Sequence, residues 1–533
     1  MLQHELNLRN FLYIEIIQIP LLEKMLHCTL SNFYKALKVA FLIVSGFAII
    51  HAQEDRNVSD TTKVAKKKPK EKRECFKMEP KDTCYSFAHA FKSKEVVKYL
   101  DLSNEIIDKI PKKIKKLTNL NALLLANQQQ LDLNYAFACL AVLPGITYLS
   151  LSNNRLVDNA SVVKIDEEIT RLRFLGKPSE DDTPDQKKKN ARIRATSRRK
   201  IEELTAERKE IRGALPTSID TFVNLSSLDL GTNLFNAIPQ CLKGMPSLRK
   251  LDFWRNQIAS FPDTLGALVH LTHLNLRENK LRQFPRSIAQ MKNLESLNLS
   301  ANRLSDIAPQ IEALENLKYL NLAENEISDI PIELTNLTGL EVLYLGVNTI
   351  RRIPSRIEKM TGLVELDFNR NRIGRLPESL TKLTNLERLV LTNNMLTQLP
   401  KEIGALKSLK TLWLSYNYFG NSLDLVGTIT SLEELYLRNN DLTELSPEMA
   451  NLKSLRKLDL SANPRLDVDQ ALEVLRYLPN LESLNLGESE IKKVSERFKH
   501  MKNLKVLYMK GNKLTNQEEQ ELKHTLENTN VIF

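Results

Sequence analysis

Leucine recurs at a fixed interval in this sequence, and that interval restricts the possible folds more than any other feature. The pattern L-x-x-L-x-L-x-x-N-x-L-x-x-L-P-x-x-I-x-x-L begins at Leu225 and recurs every 23 residues as far as Leu455. Five further units, which bring the total to sixteen, begin at Val97, Leu120, Ile146, Leu481 and Leu504. A unit of this length cannot bury its apolar residues alone, so neighbouring units must stack and share one core.

The unit at residues 386–406 indicates what each position does. Leu389 and Leu391 alternate with residues of the opposite face, as in a β-strand with one buried side. Asn394 opens the turn that follows, because only an amide side chain offers the backbone of adjacent coils both a donor and an acceptor. Pro400 ends the outgoing segment, since proline lacks the amide hydrogen that a sheet or helix needs. The chain is then expected to return in a short helical or irregular stretch.

The asparagine of the turn recurs in phase with the leucines, and we predict that these residues form a structural ladder along the stack. Loss of one member should leave buried backbone groups unpaired, at a cost of about 1–3 kcal/mol. The predicted ladder consists of Asn233, Asn256, Asn279, Asn302, Asn325, Asn348, Asn371, Asn394, Asn417, Asn440, Asn463 and Asn512.

This repeat resembles the leucine-rich repeat family in its 23-residue form, over about residues 95–514. It is similar in phase to the Ras-group and scaffold-type repeats and to bacterial leucine-rich repeat proteins. The resemblance implies an α/β fold: a right-handed, horseshoe-shaped solenoid with a concave parallel β-sheet and a short helical or irregular convex side. It also implies a protein partner, because most members of the family bind proteins. Glu105, Gln128 and Ser489 replace the expected asparagine, so we expect their coils to be less regular.

The N-terminal region has the layout of a signal peptide. Basic residues precede the apolar stretch 39–50, and the small residue Ala52 follows it. The apolar run is shorter than the roughly 20 residues that a membrane span needs. We therefore expect an exported or cell-surface protein, with Met25 as a possible initiator. An uncleaved anchor with a cytoplasmic body is the alternative, because the lysine-rich run 63–73 follows closely and positive charge tends to stay in the cytoplasm.

Cys75 and Cys84 lie just before the first repeat, where a disulfide would strengthen an N-terminal cap; two reduced thiols are the alternative.

Between residues 154 and 215 one coil is interrupted by a charged segment with helical periodicity, which predicts a helical hairpin. The predicted segments are a signal peptide or anchor (1–52), a basic linker and N-terminal cap (53–94), N-terminal repeats (95–156), the helical insertion (157–212), regular repeats (213–514) and a C-terminal cap (515–533).

The net charge of +11 is concentrated in two short runs. Residues 63–73 carry +6 and residues 187–200 carry +8, so the rest of the chain carries −3. No aromatic residues that could stack on bases are interleaved with these runs, and we expect no nucleic-acid partner.

The sequence contains no pattern that indicates catalysis. His270 and His273 have a spacing seen in metal sites, but no cysteine or carboxylate cluster accompanies them. Phosphate-binding glycine loops and nucleophile elbows are absent from the sequence. We therefore expect no enzyme activity, no metal and no cofactor.

The middle residue of each predicted strand faces outward and forms a column along the sheet. Trp413 and Tyr436 are neighbours in this column, and exposed Trp, Tyr and Arg are typical of binding hot spots. The alternative is that tyrosines simply suit strand surfaces. The candidate partner-binding residues are Arg388, Val390, Trp413, Tyr416, Tyr436 and Arg438, with Tyr344 in the same column and Trp254 in a second, weaker cluster. We predict a recognition scaffold for a protein; a glycan-binding surface adhesin and a cytoplasmic signalling scaffold are the alternatives.

Overall fold

Each of the sixteen repeats forms one three-residue strand, and the strands lie side by side in a parallel sheet. The computed structural model describes residues 83–92, 94, 96–128, 130–157, 159–175, 183–210, 213–261 and 266–533. The predicted leader, the basic run 63–73 and Cys75 lie outside the described residues, so the expectations placed on them stay predictions. Among the described helices, none is both long and apolar enough to cross a membrane.

The main sheet is open and contains 18 strands, in which each repeat strand pairs with those of the preceding and following coils. A second sheet contains only β5 and β6. The strands are β1 (Thr83–Cys84), β2 (Tyr99–Asp101), β3 (Ala122–Leu124), β4 (Tyr148–Ser150), β5 (Leu156–Val157), β6 (Gly213–Ala214), β7 (Ser227–Asp229), β8 (Lys250–Asp252), β9 (His273–Asn275), β10 (Ser296–Asn298), β11 (Tyr319–Asn321), β12 (Val342–Tyr344), β13 (Glu365–Asp367), β14 (Arg388–Val390), β15 (Thr411–Trp413), β16 (Glu434–Tyr436), β17 (Lys457–Asp459), β18 (Ser483–Asn485), β19 (Val506–Tyr508) and β20 (Asn530–Ile532).

The return path of most coils is a short 3-10 helix that begins just after the proline position. These helices span Lys112–Lys116, Thr217–Thr221, Gln240–Gly244, Arg286–Gln290, Pro309–Ala313, Ile332–Asn336, Ile357–Lys359, Glu378–Lys382, Ile403–Ala405, Asp424–Thr428, Pro447–Asn451 and Glu496–His500. The described α-helices are α1 (Phe87–Lys92), α2 (Leu133–Leu140), α3 (Asn159–Phe174), α4 (Pro184–Glu210), α5 (Val468–Leu475) and α6 (Asn516–Thr525). The predicted solenoid, with its sheet on one side and short helices on the other, is confirmed.

Two coils are three residues longer than the others and use an α-helix for the return path. Helix α2 begins after Asp132, whose carboxylate accepts a hydrogen bond from the N–H of Tyr135. Helix α5 begins in the same way after Asp467, which accepts from the N–H of Gln470. Aspartate is a favoured N-cap residue, and the extra residues provide the length for a full α-helical turn. The longer intervals therefore change the outer side of the coil and leave the strand register intact.

One continuous apolar core runs through the stack, from Cys84 near the start to Leu526 near the end. The apolar positions of the repeat all point into it. In the unit at 386–406 the fully or almost fully buried residues are Leu386, Leu389, Leu391, Leu396, Leu399, Ile403 and Leu406. Each side chain of this kind contributes about 1.5–3 kcal/mol on burial, and neighbouring coils supply the other wall of its pocket.

The repeated asparagines hold the turns of adjacent coils together, as Asn348 illustrates. Its amide Nδ2 donates to the carbonyl of Leu322 in the preceding coil at 3.1 Å and to that of Leu345 in its own coil at 3.0 Å. Its Oδ1 accepts the N–H of Ile327 at 3.0 Å. The side chain thus uses both the donor and the acceptor of the amide, which is why no other residue type recurs there.

The ladder includes one member beyond the twelve predicted, Asn154, which stands in phase as the asparagine of the interrupted coil. Asn154 accepts the N–H of Gln128 at 2.7 Å and donates to the carbonyl of Leu125 at 2.8 Å, although the insertion begins just after it. Gln128 itself is buried and donates its side-chain amide to the carbonyl of Leu102 in the preceding coil. The glutamine therefore takes the bridging role of an asparagine, and the strand of its coil stays in register. The same coil departs from the regular repeat in its longer, α-helical return path.

The insertion is a helical hairpin with a small core of its own. Ile169 and Leu172 of α3 pack with Leu204 of α4, and this cluster is separate from the main core. At the base of the hairpin, β5 and β6 pair in parallel, with Leu156 opposite Gly213. The chain therefore leaves the coil and rejoins it at adjacent points.

Both ends of the sheet carry an additional strand. At the N-terminal end, β1 pairs with β2 and Cys84 is buried in the core. At the C-terminal end, Thr515 and Glu518 form a reciprocal capping box that starts α6, and β20 pairs with β19. These segments cover apolar surface that the last coils would otherwise expose.

Candidate partner-binding face

The last residue of most repeat strands has a structural role on the sheet face. In nine coils it is an aspartate or asparagine whose Oδ1 accepts the backbone N–H two residues later, as Asp229 does from Gly231 at 2.9 Å. We call this bond the Asx cap. The residues that form it are Asp101, Asp229, Asp252, Asn275, Asn298, Asn321, Asp367, Asp459 and Asn485.

Three successive coils lack the Asx cap, which is the longest such run in the described array. The last residues of their strands are Val390, Trp413 and Tyr436, which lack the short carboxylate or amide side chain that forms the cap elsewhere. In these three coils the backbone N–H groups that the cap would bind, those of Thr392, Ser415 and Arg438, have no acceptor among the described residues. Because the strands are in register, these donors form a row with one member per coil, about 4.8 Å apart.

Two side-chain groups beside this row are also unpaired. The indole Nε1 of Trp413 and the hydroxyl of Thr392 are buried and make no hydrogen bond to any described residue. Buried donors normally find a partner, and each unpaired one costs free energy. The same three coils therefore concentrate hydrogen-bond donors that the isolated chain leaves unused.

The two large rings at this place stand against each other. Trp413 and Tyr436 are stacked, with ring centroids 4.0 Å apart and an angle of 23° between the planes. The guanidinium carbon of Arg388, from the preceding coil, lies 5.7 Å from the Trp413 ring centroid. Because Tyr436 and Arg388 lie against the faces of the Trp413 ring, a ligand on the sheet face contacts the edges of the rings.

Both arginines of the site are held by acidic or hydroxyl side chains. Arg388 forms an ion pair with Glu365 at 2.9 Å. Arg438 donates to the hydroxyl of Tyr416 at 2.7 Å and to Ser461 at 2.9 Å, and it also pairs with Glu488. Side chains fixed in this way lose little conformational entropy when a partner binds. We call Arg388, Trp413, Tyr416, Tyr436 and Arg438 the aromatic patch.

The exposure of the predicted residues differs from the expectation at one position. Val390 was expected to be exposed, but it is only 6% exposed, so it cannot contact a partner through its side chain. A valine has no polar tip to keep in water, and it is covered by its neighbours on the sheet. Tyr416 and Arg388 are exposed, while Trp413 and Tyr436 are half-buried.

Two other predicted residues lie apart from the aromatic patch. Tyr344 is two coils before Val390 and packs edge-on against Tyr319, with centroids 5.7 Å apart. Burial, together with the nearby carboxylate of Glu365, raises the pKa of Tyr344 well above its usual range. Trp254 is seven coils before Trp413 and lies over Gly231, where a Cβ atom would be 2.2 Å from the indole. The weaker cluster around Trp254 is thus a separate feature, and the small size of Gly231 makes room for it.

The electrostatic surroundings of the patch are set by burial. Burial raises the pKa of Asp459, the Asx-capping residue of the coil after Tyr436, and also that of Asp367 on the other side. Burial and the carboxylate of Glu434 raise the pKa of the Tyr436 hydroxyl, which donates to Glu434 at 3.1 Å. The patch therefore presents its hydroxyl in the protonated form across the physiological range.

The sequence reasoning missed two features of this face. Tyr418, just after the ladder residue Asn417, is 65% exposed at the edge of the sheet next to the patch. The row of open N–H groups was also missed, although the change from Asp or Asn to Val, Trp and Tyr in the central column is readable in the sequence. Over the described ranges, no group of three or more His, Cys, Asp or Glu side chains is arranged to hold a metal ion.

Comparison with known families identifies the repeat. Residues 246–304 match a model of the leucine-rich repeat, residues 305–423 a model of the leucine-rich repeat region, and residues 430–475 a model of two leucine-rich repeat copies. Together with the observed coils, these matches show that the chain belongs to the leucine-rich repeat family. No curated protein sequence matches the chain.

Solved structures with the same fold come from several sources. A leucine-rich repeat protein of Leptospira interrogans is 25% identical, with a TM-score of 0.59, over 85% of this chain and 99% of that one. An internalin from Listeria monocytogenes is 22% identical, with a TM-score of 0.52, over 69% and 88% of the two chains. The receptor TLR13, solved in complex with a single-stranded RNA, is 22% identical, with a TM-score of 0.57, over 82% and 64%. These similarities agree with the solenoid described above.

Proposed function

We propose that this chain is a non-catalytic recognition scaffold that binds a protein partner on its sheet face, at the aromatic patch. The observation that carries the proposal is the run of three coils without an Asx cap. Nine coils of the array use an aspartate or asparagine to satisfy the same backbone N–H, so the fold readily accommodates that solution. Its replacement by Val390, Trp413 and Tyr436 gives up three hydrogen bonds without any gain that the stack itself requires.

A protein partner would use what these coils leave open. Main-chain carbonyls or side-chain oxygens of the partner can accept from the N–H groups of Thr392, Ser415 and Arg438. Trp, Tyr and Arg side chains dominate the binding energy of protein interfaces, and those of the patch are already held in place. The two kinds of contact together favour a ligand that brings both apolar groups and hydrogen-bond acceptors.

The arrangement of the rings supports a protein over a glycan. Sugars pack against the open face of an aromatic ring, whereas Tyr436 and Arg388 lie against the ring of Trp413. A binding site that offers ring edges and backbone donors is better matched to a polypeptide. The glycan-binding adhesin remains the second candidate, and saturable binding of a defined protein partner separates the two.

We further propose that the chain is exported or displayed on the cell surface, as the apolar stretch 39–50 and the small residue Ala52 indicate. Proteolysis of intact cells tests this placement. Rapid digestion of the repeat array by added protease is expected, and full protection until the cells are lysed would favour the cytoplasmic signalling scaffold instead.

The test of the patch restores the Asx cap at one position. In Val390→Asn the new amide accepts the N–H of Thr392, as Asn298 does for Ser300 at 3.0 Å. Leucine is similar in size to asparagine but cannot accept a hydrogen bond, so Val390→Leu is the matched control. Because Val390 is buried, neither change alters the exposed side chains directly.

Partners are captured on the purified chain and identified by mass spectrometry, and the affinity of each captured protein is then measured for the variants. We expect Val390→Asn to weaken binding by about fivefold to tenfold, the value of one hydrogen bond, while Val390→Leu binds nearly as the wild type does. The double change Trp413→Asn and Tyr436→Asn should abolish binding. Unchanged affinity of that double variant would refute the proposed site.

A further inference from the structure

Two successive coils, outside the aromatic patch, carry six arginines. Three belong to the coil that begins at Leu340 and three to the coil that begins at Leu363, and all six side chains are exposed. We call them the arginine cluster: Arg351, Arg352, Arg356, Arg370, Arg372 and Arg375.

The positive charge of the cluster is not neutralised within the described chain. None of the six guanidinium groups has an ion-pair or hydrogen-bond partner among the residues that the structure describes. Other arginines of the array do have such partners; Arg388, for example, pairs with Glu365, and Arg456 pairs with Glu482 at 2.9 Å. Six like charges without counterions repel one another, so the cluster is a net cost to the isolated fold.

The fold does not require arginine at these positions. Arg351 and Arg352 occupy places that are Ser328 and Asp329 in the preceding coil, and serine and aspartate occupy them again one coil earlier. Thr397 and Gln398 stand there in the coil that begins at Leu386. Because the same backbone accepts small neutral, polar and acidic residues at these exposed positions, the arginines serve something other than the stack.

Three members of the cluster line a surface depression of about 410 Å³. The depression is bounded by Thr349, Arg351 and Arg352 of one coil, by Arg372 of the next coil, and by Ser328 and Asp329 of the preceding coil. Asp329 accepts a hydrogen bond from Ser328 at 3.0 Å. Three guanidinium groups therefore converge on one concave place that can hold an anionic group, while the hydroxyl of Thr349 donates to the carbonyl of Ile327 at 3.1 Å.

From this geometry we infer that the arginine cluster binds an acidic segment of a polypeptide. The guanidinium fork matches a carboxylate with two parallel hydrogen bonds, and arginine serves this purpose better than lysine. The cluster contains no aromatic residue on which a nucleic-acid base could stack. The choice of a polypeptide over a sulfated polysaccharide rests on the proposed function, in which the sheet face binds a protein.

The position of the cluster in the stack agrees with a shared partner. Arg370 occupies the place just before the ladder asparagine, which is Tyr416 two coils further along. Two coils correspond to about 10 Å, so one protein can cover both the cluster and the aromatic patch. The aromatic patch would supply apolar contact, and the cluster would select partners that carry a run of Asp or Glu beside the contact.

The test uses the full chain and a fluorescently labelled oligo-glutamate peptide, with binding followed by fluorescence polarisation at low salt. The cluster variant carries Arg351→Thr, Arg352→Gln and Arg375→Gln, the residues found at the same places in the coil that begins at Leu386. A charge-matched control carries Arg282→Thr, Arg286→Gln and Arg303→Thr, three exposed arginines of earlier coils. We expect the cluster variant to raise the Kd for the peptide by about tenfold and the control to change it by less than about twofold.

Three outcomes overturn the inference: no binding by the wild type, equal loss in the cluster variant and the control, or tighter binding of heparin or single-stranded DNA than of the peptide. The Val390→Asn variant is measured in parallel. It should bind oligo-glutamate as the wild type does, because Val390 lies beside the aromatic patch and outside the arginine cluster. The cluster variant thus tests the binding of acidic peptide, and the Val390→Asn variant tests the proposed partner site. The two proposals can therefore fail independently.

Discussion

Replacing two neighbouring ladder asparagines should destabilise the protein by more than the sum of the two single replacements. The reason lies in how the bonds are shared. The N–H of Ile327 has only the Oδ1 of Asn348 as its acceptor, at 3.0 Å. The carbonyl of Leu322, in contrast, accepts from both Asn325 at 3.0 Å and Asn348 at 3.1 Å. Asn348→Ala therefore leaves the N–H unpaired, while Asn325 still satisfies the carbonyl.

The size of the effect follows from the number of orphaned groups. Each single replacement, Asn325→Ala or Asn348→Ala, leaves one buried N–H without a partner and should cost about 1–3 kcal/mol. The double variant leaves two such N–H groups and, in addition, the carbonyl of Leu322. The free energy of unfolding should thus fall by a further amount of about 1–2 kcal/mol beyond the sum. Asn256 and Asn348 share no partner, and their replacements should add within about 0.5 kcal/mol.

The measurement is a pair of double-mutant cycles in guanidinium chloride. Unfolding is followed by far-UV circular dichroism and by the fluorescence of the two tryptophans, and coincident curves establish that the array unfolds as one unit. The adjacent pair, Asn325 with Asn348, is compared with the distant pair, Asn256 with Asn348. Equal coupling in the two cycles would refute the shared-carbonyl reasoning, whatever the cost of the single replacements.

Two further predictions concern single residues. Val347 has a φ of 56°, which is unfavourable for a β-branched side chain; Val347→Asn, the residue found there in several other coils, should raise the free energy of unfolding by about 1 kcal/mol in the same titration. Burial raises the pKa of Asp459 in the folded state, so its ionised form is disfavoured and its contribution to stability falls as pH rises through its unfolded pKa of about 4. Asp459→Asn should therefore raise Tm near neutral pH and lose that advantage in acid; an equal gain at every pH would contradict this account.

The regular part of the fold could be predicted because each coil repeats the same physical problem. Leucine phase fixed the strand register, and the asparagine marked the turn, so the pairing of Val390 with Trp413 and of Trp413 with Tyr436 followed by counting. The coils that depart from the 23-residue interval could be predicted less fully. Asn154 stands in phase with the other asparagines, but its bonds to Gln128 and Leu125 could not be read from a coil that is interrupted directly afterwards. The α-helices of the two longer coils depend on the N-caps Asp132 and Asp467.

The candidate site was only partly predictable, because side-chain exposure depends on neighbours in other coils. Val390 belongs to the outward column, yet its neighbours bury it. The stacking of Trp413 on Tyr436 and the three bonds of Arg438 depend on rotamers that a one-dimensional pattern does not specify. The open N–H groups of the patch are defined by contrast with the Asx caps of the other coils, and those caps depend on side-chain positions that the sequence does not give.

The paired strands β5 and β6 form a defined attachment point for the inserted hairpin. They hold the two ends of the hairpin side by side, so the repeat continues on both sides of the insertion without a change of register. An unrelated module whose own termini meet could be exchanged for the hairpin by cutting only at this attachment point. For the same reason, a long insertion between these two points leaves the coils on either side intact.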